Sequence, residues 1–240
     1  LRKAPALFPD AFLETPEVAI ADTWAQPLWV SVRVPPGTAP GEYAGEIEIH
    51  LTRENGADET LRVPLELTVW PFTLPEKNHL RHTEWFNTGA LARYYNAEPW
   101  SEEHWEWIEK VARDMGRHRQ DTILTRFHSL ARVQQDADGE LSFDFSRLDR
   151  WIETFRREGV EWIEGGHVAG RTGGWDSEIA WRRFSVEGPD GDPIDTSRGA
   201  MSREEFEPLL REFLQGIHDH LVEQGWDDRY MQHIADELAE

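Results

Sequence analysis

Leu28, Val30, Val32 and Val34 alternate with Trp29, Ser31 and Arg33, the period-2 pattern of a strand with one apolar face. Pro35-Pro36-Gly37 and Pro40-Gly41 end the run, since proline and glycine punctuate strands. Alternation resumes from Tyr43 through Ile47, Ile49 and Leu51, and Asn55-Gly56 then signals a hairpin. Leu61, Val63, Leu65, Leu67 and Val69 form one face of a third strand. Pro64 inside that run suits an edge or a bulge, because it donates no ladder hydrogen bond. Short strands joined by tight turns predict a small antiparallel β-sandwich. The stiff segment Pro71-Phe72-Thr73-Leu74-Pro75 predicts the end of that domain, giving a boundary after residue 75.

Beyond residue 75 the period changes. Strands are predicted near 80–86, 122–127, 160–166 and 230–235. Between them lie three amphipathic helices. The first opens at Ser101 with Glu102 and Glu103 in its first turn, and Trp107, Ile108, Val111, Ala112 and Met115 form its apolar stripe. The second is capped by Asp144 or Ser146, turns Leu148, Trp151, Ile152 and Phe155 inward and stops at Gly159. The third opens on a Ser202–Glu205 capping box, carries Phe206, Leu209, Leu210, Phe213, Ile217 and Leu221, and ends at Gly225. Strands alternating with helices predict βαβ units and a parallel sheet. An open doubly wound sheet and the first half of a (β/α)8 barrel of the TIM type both fit. The bulky segment Thr83-Glu84-Trp85-Phe86-Asn87 has no glycine-rich phosphate loop, and the long Gly/Asp/Pro-rich segment 165–199 suits a barrel, so the partial barrel is favoured. The fold class read from the chain is multidomain β plus α/β: a β-sandwich over 1–75, then the N-terminal half of a barrel over 76–240.

Composition narrows the function. Of 240 residues, 39% are hydrophobic and the formal net charge is −21. Such acidity argues against nucleic acid as a partner, and no apolar run reaches the length of a membrane span. Lys occurs only as Lys3, Lys77 and Lys110, so the basic residues are mostly Arg. With no Cys there are neither disulfides nor thiolate metal sites. No histidine or carboxylate spacing suggests a metal, and no cofactor is expected. The twelve Trp include exposed candidates for stacking on sugar rings.

Parallel sheets bind ligands beyond the carboxyl ends of their strands. Residues just past each predicted strand are therefore the site candidates. They are Glu84, Trp85 and Asn87; His128; His167, Arg171, Trp175 and Asp176; and the adjacent pair Asp236-Glu237 after Tyr230–Ala235. Paired carboxylates suit acid/base work. The competing reading is local: Asp236 caps a helix and Glu237 sits in its first turn.

The segments Gln26-Pro27-Leu28-Trp29-Val30, Pro40-Gly41-Glu42-Tyr43-Ala44-Gly45 and Val63 through Pro75 resemble the N-terminal domain of glycoside hydrolase family 123. That family comprises β-N-acetylgalactosaminidases and relatives. Its (β/α)8 catalytic barrel carries an adjacent Asp-Glu pair at the end of the fourth strand, which Asp236-Glu237 matches. The resemblance implies retaining hydrolysis of a terminal β-linked N-acetylhexosamine, N-acetylgalactosamine above all. The nucleophile would be the sugar's own 2-acetamido oxygen, an exception to the two-carboxylate scheme. Glu237 would be the general acid and then base, and Asp236 would orient the acetamide and stabilise the oxazolinium. Trp85 and Trp175 would stack on sugar, and His167 and Arg171 would bind hydroxyls. The implied partner is a carbohydrate. The family's barrel has four further strands, so both chain ends read as cuts, and open sheet edges would favour association between copies. An extracellular or periplasmic location is the expectation. Two other readings stay open: a glycan-binding module without catalysis, and a glycosidase whose nucleophile lies in the absent half.

Overall fold

The computed structural model describes residues 15, 17–20, 25–54 and 56–236. The chain divides into two compact units, Leu1–Glu76 and Lys77–Glu240.

In the first unit, β1 (Gly41–Thr52) pairs antiparallel with β2 (Asp58–Val69), in unbroken register from Gly41 opposite Val69 to Thr52 opposite Asp58. The turn is closed by Gly56 N–H to the Arg53 carbonyl at 2.8 Å, with Gly56 at φ +78°. Asn55, the other half of the hairpin signal, lies outside the described residues. Arg62 bridges Glu46 and Glu48 at 2.6 and 2.7 Å across the ladder. Pro64, opposite Glu46, is tolerated because each strand of a two-stranded ribbon has a free edge. The first expected strand differs. Residues 28–34 are outside any strand, and Leu28, Val30, Val32 and Val34 are exposed. Alternation supplies an apolar face but no ladder partner, and among the described residues this unit is a ribbon, not two packed sheets.

The second unit contains, in order, α1 (Thr88–Tyr95), α2 (Glu102–Arg117), β3 (Thr122–Thr125), α3 (Phe127–Leu130), β4 (Arg132–Gln135), β5 (Leu141–Asp144), α4 (Ser146–Arg157), β6 (Trp162–Gly165), β7 (Ala169–Arg171), β8 (Ile179–Trp181), β9 (Val186–Glu187), β10 (Pro193–Ile194), α5 (Arg203–Glu223) and β11 (Tyr230–Gln232). β3, β6 and β11 form a parallel sheet with β6 central, and Thr83 adds a parallel bridge to Thr122 of β3. The four parallel segments thus neighbour one another in chain order, with helices between them, and no reversal of order is seen. The 165–199 segment folds as two small hairpin elements: β7 with β8, and β9 with β10, β9 also joining the β4–β5 pair.

The strand expected at 80–86 is reduced to the Thr83 bridge, for a local reason. The His82 N–H is taken by the Asp121 side chain (2.8 Å) instead of a strand carbonyl, and Arg81 binds the same carboxylate at 2.9 Å. The His82 carbonyl accepts from Asp121 and Thr122 N–H. The other three parallel strands are shorter than expected, but lie where the periodicity puts them.

The helices form because their apolar positions recur at helical spacing and their ends are satisfied. Ser101 caps α2 through the His104 N–H, and Ser202 and Glu205 form both bonds of the capping box on α5. Asp144 accepts the Ser146 N–H at the start of α4 (2.9 Å). Leu148, Trp151, Ile152 and Phe155 of α4, and Phe206, Leu210, Phe213, Ile217 and Leu221 of α5, enter one core with Ile123 and Ile163 of the sheet. In α2 the buried face is His104, Trp105, Ile108 and Ala112. Trp107 instead stacks on Tyr95, its ring 3.4 Å away. Ile123, Ile163 and Tyr230 stand abreast toward this core; Leu124, Glu164 and Met231 stand abreast on the opposite face.

Candidate active site

Glu164 is the only carboxylate within the three paired parallel strands. Its side chain is only 10% exposed. A buried carboxylate needs donors, and three converge on it. Thr83 Oγ1 donates to Oε2 at 2.8 Å and Trp85 Nε1 to the same oxygen at 3.1 Å. His233 Nδ1 lies 3.0 Å from Oε1. These residues come from the first, third and fourth parallel segments, so Glu164 ties the carboxyl ends of the sheet together.

His233 Nδ1 also lies 3.0 Å from His167 Nε2. A carboxylate only accepts, so with Glu164 ionised the proton sits on His233 Nδ1, and His167 Nε2 faces it with a lone pair. We therefore assign neutral His167 to its Nδ1–H form. Protonated His167 would oppose N–H to N–H. Consistent with this, burial, the neighbouring His233 and Arg182 push the His167 pKa below 6.5, against the opposing pull of Asp236 and Glu164. Trp85 completes the cluster, with its ring 5.2 Å from His167 and 6.0 Å from His233.

The chain after β11 is fixed by backbone bonds beyond the ladder. His233 N–H reaches the Gly165 carbonyl, and the Ile234 carbonyl accepts from Val168 and Ala169 at 3.1 and 2.9 Å. The Gln232 amide donates to the Gly166 carbonyl at 2.8 Å. A Cβ at Gly165 would come within 2.5 Å of Gln232 Oε1, so the Gln232 side chain would have to shift. These bonds carry the chain to Asp236, which is exposed and close enough for its charge to act on His167. Glu237 lies outside the described residues.

The other sequence candidates are dispersed. Glu84 is 70% exposed and turns back to His82 (3.2 Å). Asn87 spends its side-chain oxygen capping α1 through the Ala90 N–H. Trp175 and Asp176 lie exposed between β7 and β8, with the Arg171 guanidinium 5.9 Å from the Trp175 ring. His128, on α3, reaches solvent, yet loss of hydration and the charges of Arg126 and Arg182 hold its pKa below 6.5. His128 and Arg171 line a cavity of about 250 Å³ with Gly170, Trp181 and three further arginines. A larger concavity of about 570 Å³, between β5, α4 and α5, shares no residue with this site. Among the described residues no group of three or more histidines and carboxylates is placed to hold a metal ion. No helix there is long and apolar enough to cross a membrane.

Residues 85–240 match the family described as glycoside hydrolase 123, catalytic domain. The chain belongs to glycoside hydrolase family 123. Residues 2–51 match that family's N-terminal domain. Among solved structures, a family 123 glycoside hydrolase from Clostridium perfringens, described for its hydrolysis of glycolipid glycans, superposes with a TM-score of 0.61 at 18% identity. That likeness concerns the fold; it covers 87% of this chain and 38% of the other. No curated protein matches the chain. Within the family 123 catalytic region, Trp85, His167 and Asp236 were candidates from sequence. Glu164 and His233 were not: the strand read at 160–166 carries both Glu161 and Glu164, and nothing in the sequence separates them.

Proposed function

We propose that this chain is the N-terminal part of a family 123 glycosidase that removes terminal β-linked N-acetylhexosamine, N-acetylgalactosamine above all, by retaining, substrate-assisted catalysis. Residues 76–240 then supply four of the eight β/α units of a closed barrel, and residues 1–75 the accessory β-domain. Glycolipid glycans, on which the Clostridium perfringens relative acts, are the natural substrate class to try.

The observation that carries this reading is the position of Asp236. It follows the last parallel strand, beside a neutral histidine, with Glu237 next in sequence. In the proposed mechanism the 2-acetamido oxygen attacks the anomeric carbon while Glu237 protonates the departing glycosidic oxygen. Asp236 accepts the acetamide N–H and faces the positive charge of the oxazolinium. Neighbouring carboxylates suffice because the two groups they serve sit on adjacent sugar carbons. A cationic His167 would neutralise Asp236 in advance; a neutral one leaves that charge for the intermediate. Water then opens the oxazolinium with Glu237 as base, so configuration is retained.

The test uses aryl glycosides and the full polypeptide. An aryl β-N-acetylgalactosaminide should be cleaved and the matching plain galactoside should be nearly inert. Glu237→Gln should cost ~10²–10⁴-fold, less for activated leaving groups. Asp236→Asn should slow all leaving groups alike. Equal rates on the acetamido sugar and the plain galactoside would refute the proposal.

A further inference from the structure

The cavity bounded by His128, Arg171, Arg182, Arg183 and Arg198 gathers four arginines in a chain with net charge −21. Among the described residues, no carboxylate forms an ion pair with Arg182, Arg183 or Arg198. Arg183 is held in place by Phe206, whose ring lies 4.1 Å from its guanidinium carbon, and its Nε and Nη1 are buried without a hydrogen-bond partner. Guanidinium groups gathered together repel. An anion would relieve that repulsion, and the planar fork of arginine matches an oxyanion with paired N–H groups. The room exists partly because residue 170 is glycine: a Cβ there would sit 2.8 Å from Arg182 Nη2.

The cavity borders the candidate active site. The Arg182 backbone N–H binds the carbonyl of Val168, the residue after His167, at 2.8 Å. About 250 Å³ is below the ~300–1,000 Å³ of ordinary ligand pockets. It suits one charged sugar substituent, not an oligosaccharide. We propose that this arginine pocket is a subsite for an anionic group, a sulfate ester or a sugar carboxylate, on the glycan that the adjacent site cleaves. The proposal rests on the glycosidase reading for its ligand, but not for its measurement.

Sulfate binding to the full polypeptide is followed by calorimetry and by the Arg Nε–H resonances, at ionic strength matched with chloride. Sulfate should bind and shift the Arg182 and Arg198 resonances. Arg198→Gln, at an exposed residue outside the core, should weaken binding by about tenfold, the lower range for a charge-assisted hydrogen bond. Acetate in place of sulfate reports the carboxylate. With substrates, an aryl 2-acetamido glycoside bearing a sulfate or a sialyl carboxylate should show a higher kcat/KM than its neutral parent, and Arg198→Gln should erase the advantage while leaving the parent unchanged. Sulfate and acetate binding no better than chloride, or unaffected by Arg198→Gln, would overturn the subsite. Cleavage of the neutral parent with no gain from either anionic group would overturn it too, and leave the glycosidase reading standing. Arg198-dependent anion binding without cleavage of any acetamido glycoside would sink the glycosidase reading, and with it this pocket's role in substrate recognition.

Discussion

Replacing Glu164 with glutamine keeps its size and removes its charge, so it isolates what the carboxylate does. The side chain accepts from Thr83, Trp85 and His233. A hydrogen bond to a charged group contributes about 1.5–3 kcal/mol and a neutral one about 0.5–1.5, so each bond weakens by about 1–1.5 kcal/mol. Thr83 and Trp85 keep contact with water, which discounts their share. The expected loss is about 2 kcal/mol, or a fall of about 4–8 °C in Tm for a unit of this size. Orientation gives a sharper signature. Trp85 Nε1–H can only donate, so the amide oxygen must face it and the amide NH₂ must face His233 Nδ1. That nitrogen must then accept, moving its proton to Nε2, and His167 must shift its own proton to Nε2 to face a lone pair. Glu164→Gln should therefore switch the neutral tautomer of both histidines, visible in long-range ¹H–¹⁵N spectra of the imidazoles. Urea unfolding gives the stability. A change below about 0.5 kcal/mol with both tautomers unmoved would refute the assigned network.

Two more expectations follow from the same geometry. A Cβ at Gly116 would lie 2.0 Å from the backbone oxygen of Glu158, so Gly116→Ala must force α2 away from the end of α4. The cost should be about 3 kcal/mol or more, measured by denaturant unfolding; a near-neutral result would mean that these helices do not approach so closely. His128 and His167 both have pKa values lowered from 6.5 by loss of hydration and neighbouring cations. A group with a depressed folded-state pKa stabilises fully above its unfolded pKa, and that contribution is lost as pH falls through the folded value. Stability should therefore decline as pH falls below about 6.5, and His128→Gln or His167→Gln should flatten part of that decline in urea titrations against pH; unchanged slopes would contradict the lowered pKa values.

Local order was readable and long-range pairing was not. α4 and α5 announced their inward faces because a single amphipathic stripe at helical period fits one way only. In α2, two tryptophans two residues apart offered competing faces. Packing selects Trp105, three and seven residues before Ile108 and Ala112, and leaves Trp107 to stack on Tyr95. The strand read at 80–86 shrinks to the Thr83 bridge because the Asp121 side chain takes the His82 N–H, a competition that periodicity does not reveal. At residues 28–34 the alternation was plain, but a pattern names a face and not a partner. For the site, strand ends pointed to Trp85, His167 and Asp236. The contact between Glu164 and His233 spans 69 residues and depends on the register of β6 against β11, which periodicity does not supply. Asn87 shows the opposite failure: a polar residue after a strand can serve only the next helix, as its cap does here.

The register also bears on why such a site sits on this sheet. Side chains alternate across a strand, so a carboxylate one position earlier, at Ile163, would point into the core of α4 and α5. At Glu164 it meets polar groups instead: a hydroxyl, an indole N–H and an imidazole, all brought by neighbouring parallel segments. This anchors His233, and through it His167. Burial, with the neighbouring His233 and Arg182, holds the His167 pKa below 6.5. In a chain so rich in carboxylates, the cheap way to satisfy Asp236 would be a nearby cation, and a salt bridge there would cancel its charge. An imidazole pair tied to a buried glutamate holds the chain in place, and among the described residues the exposed Asp236 forms no ion pair. That is the condition the proposed chemistry sets for a carboxylate that must meet a cation only after the glycosidic bond begins to break.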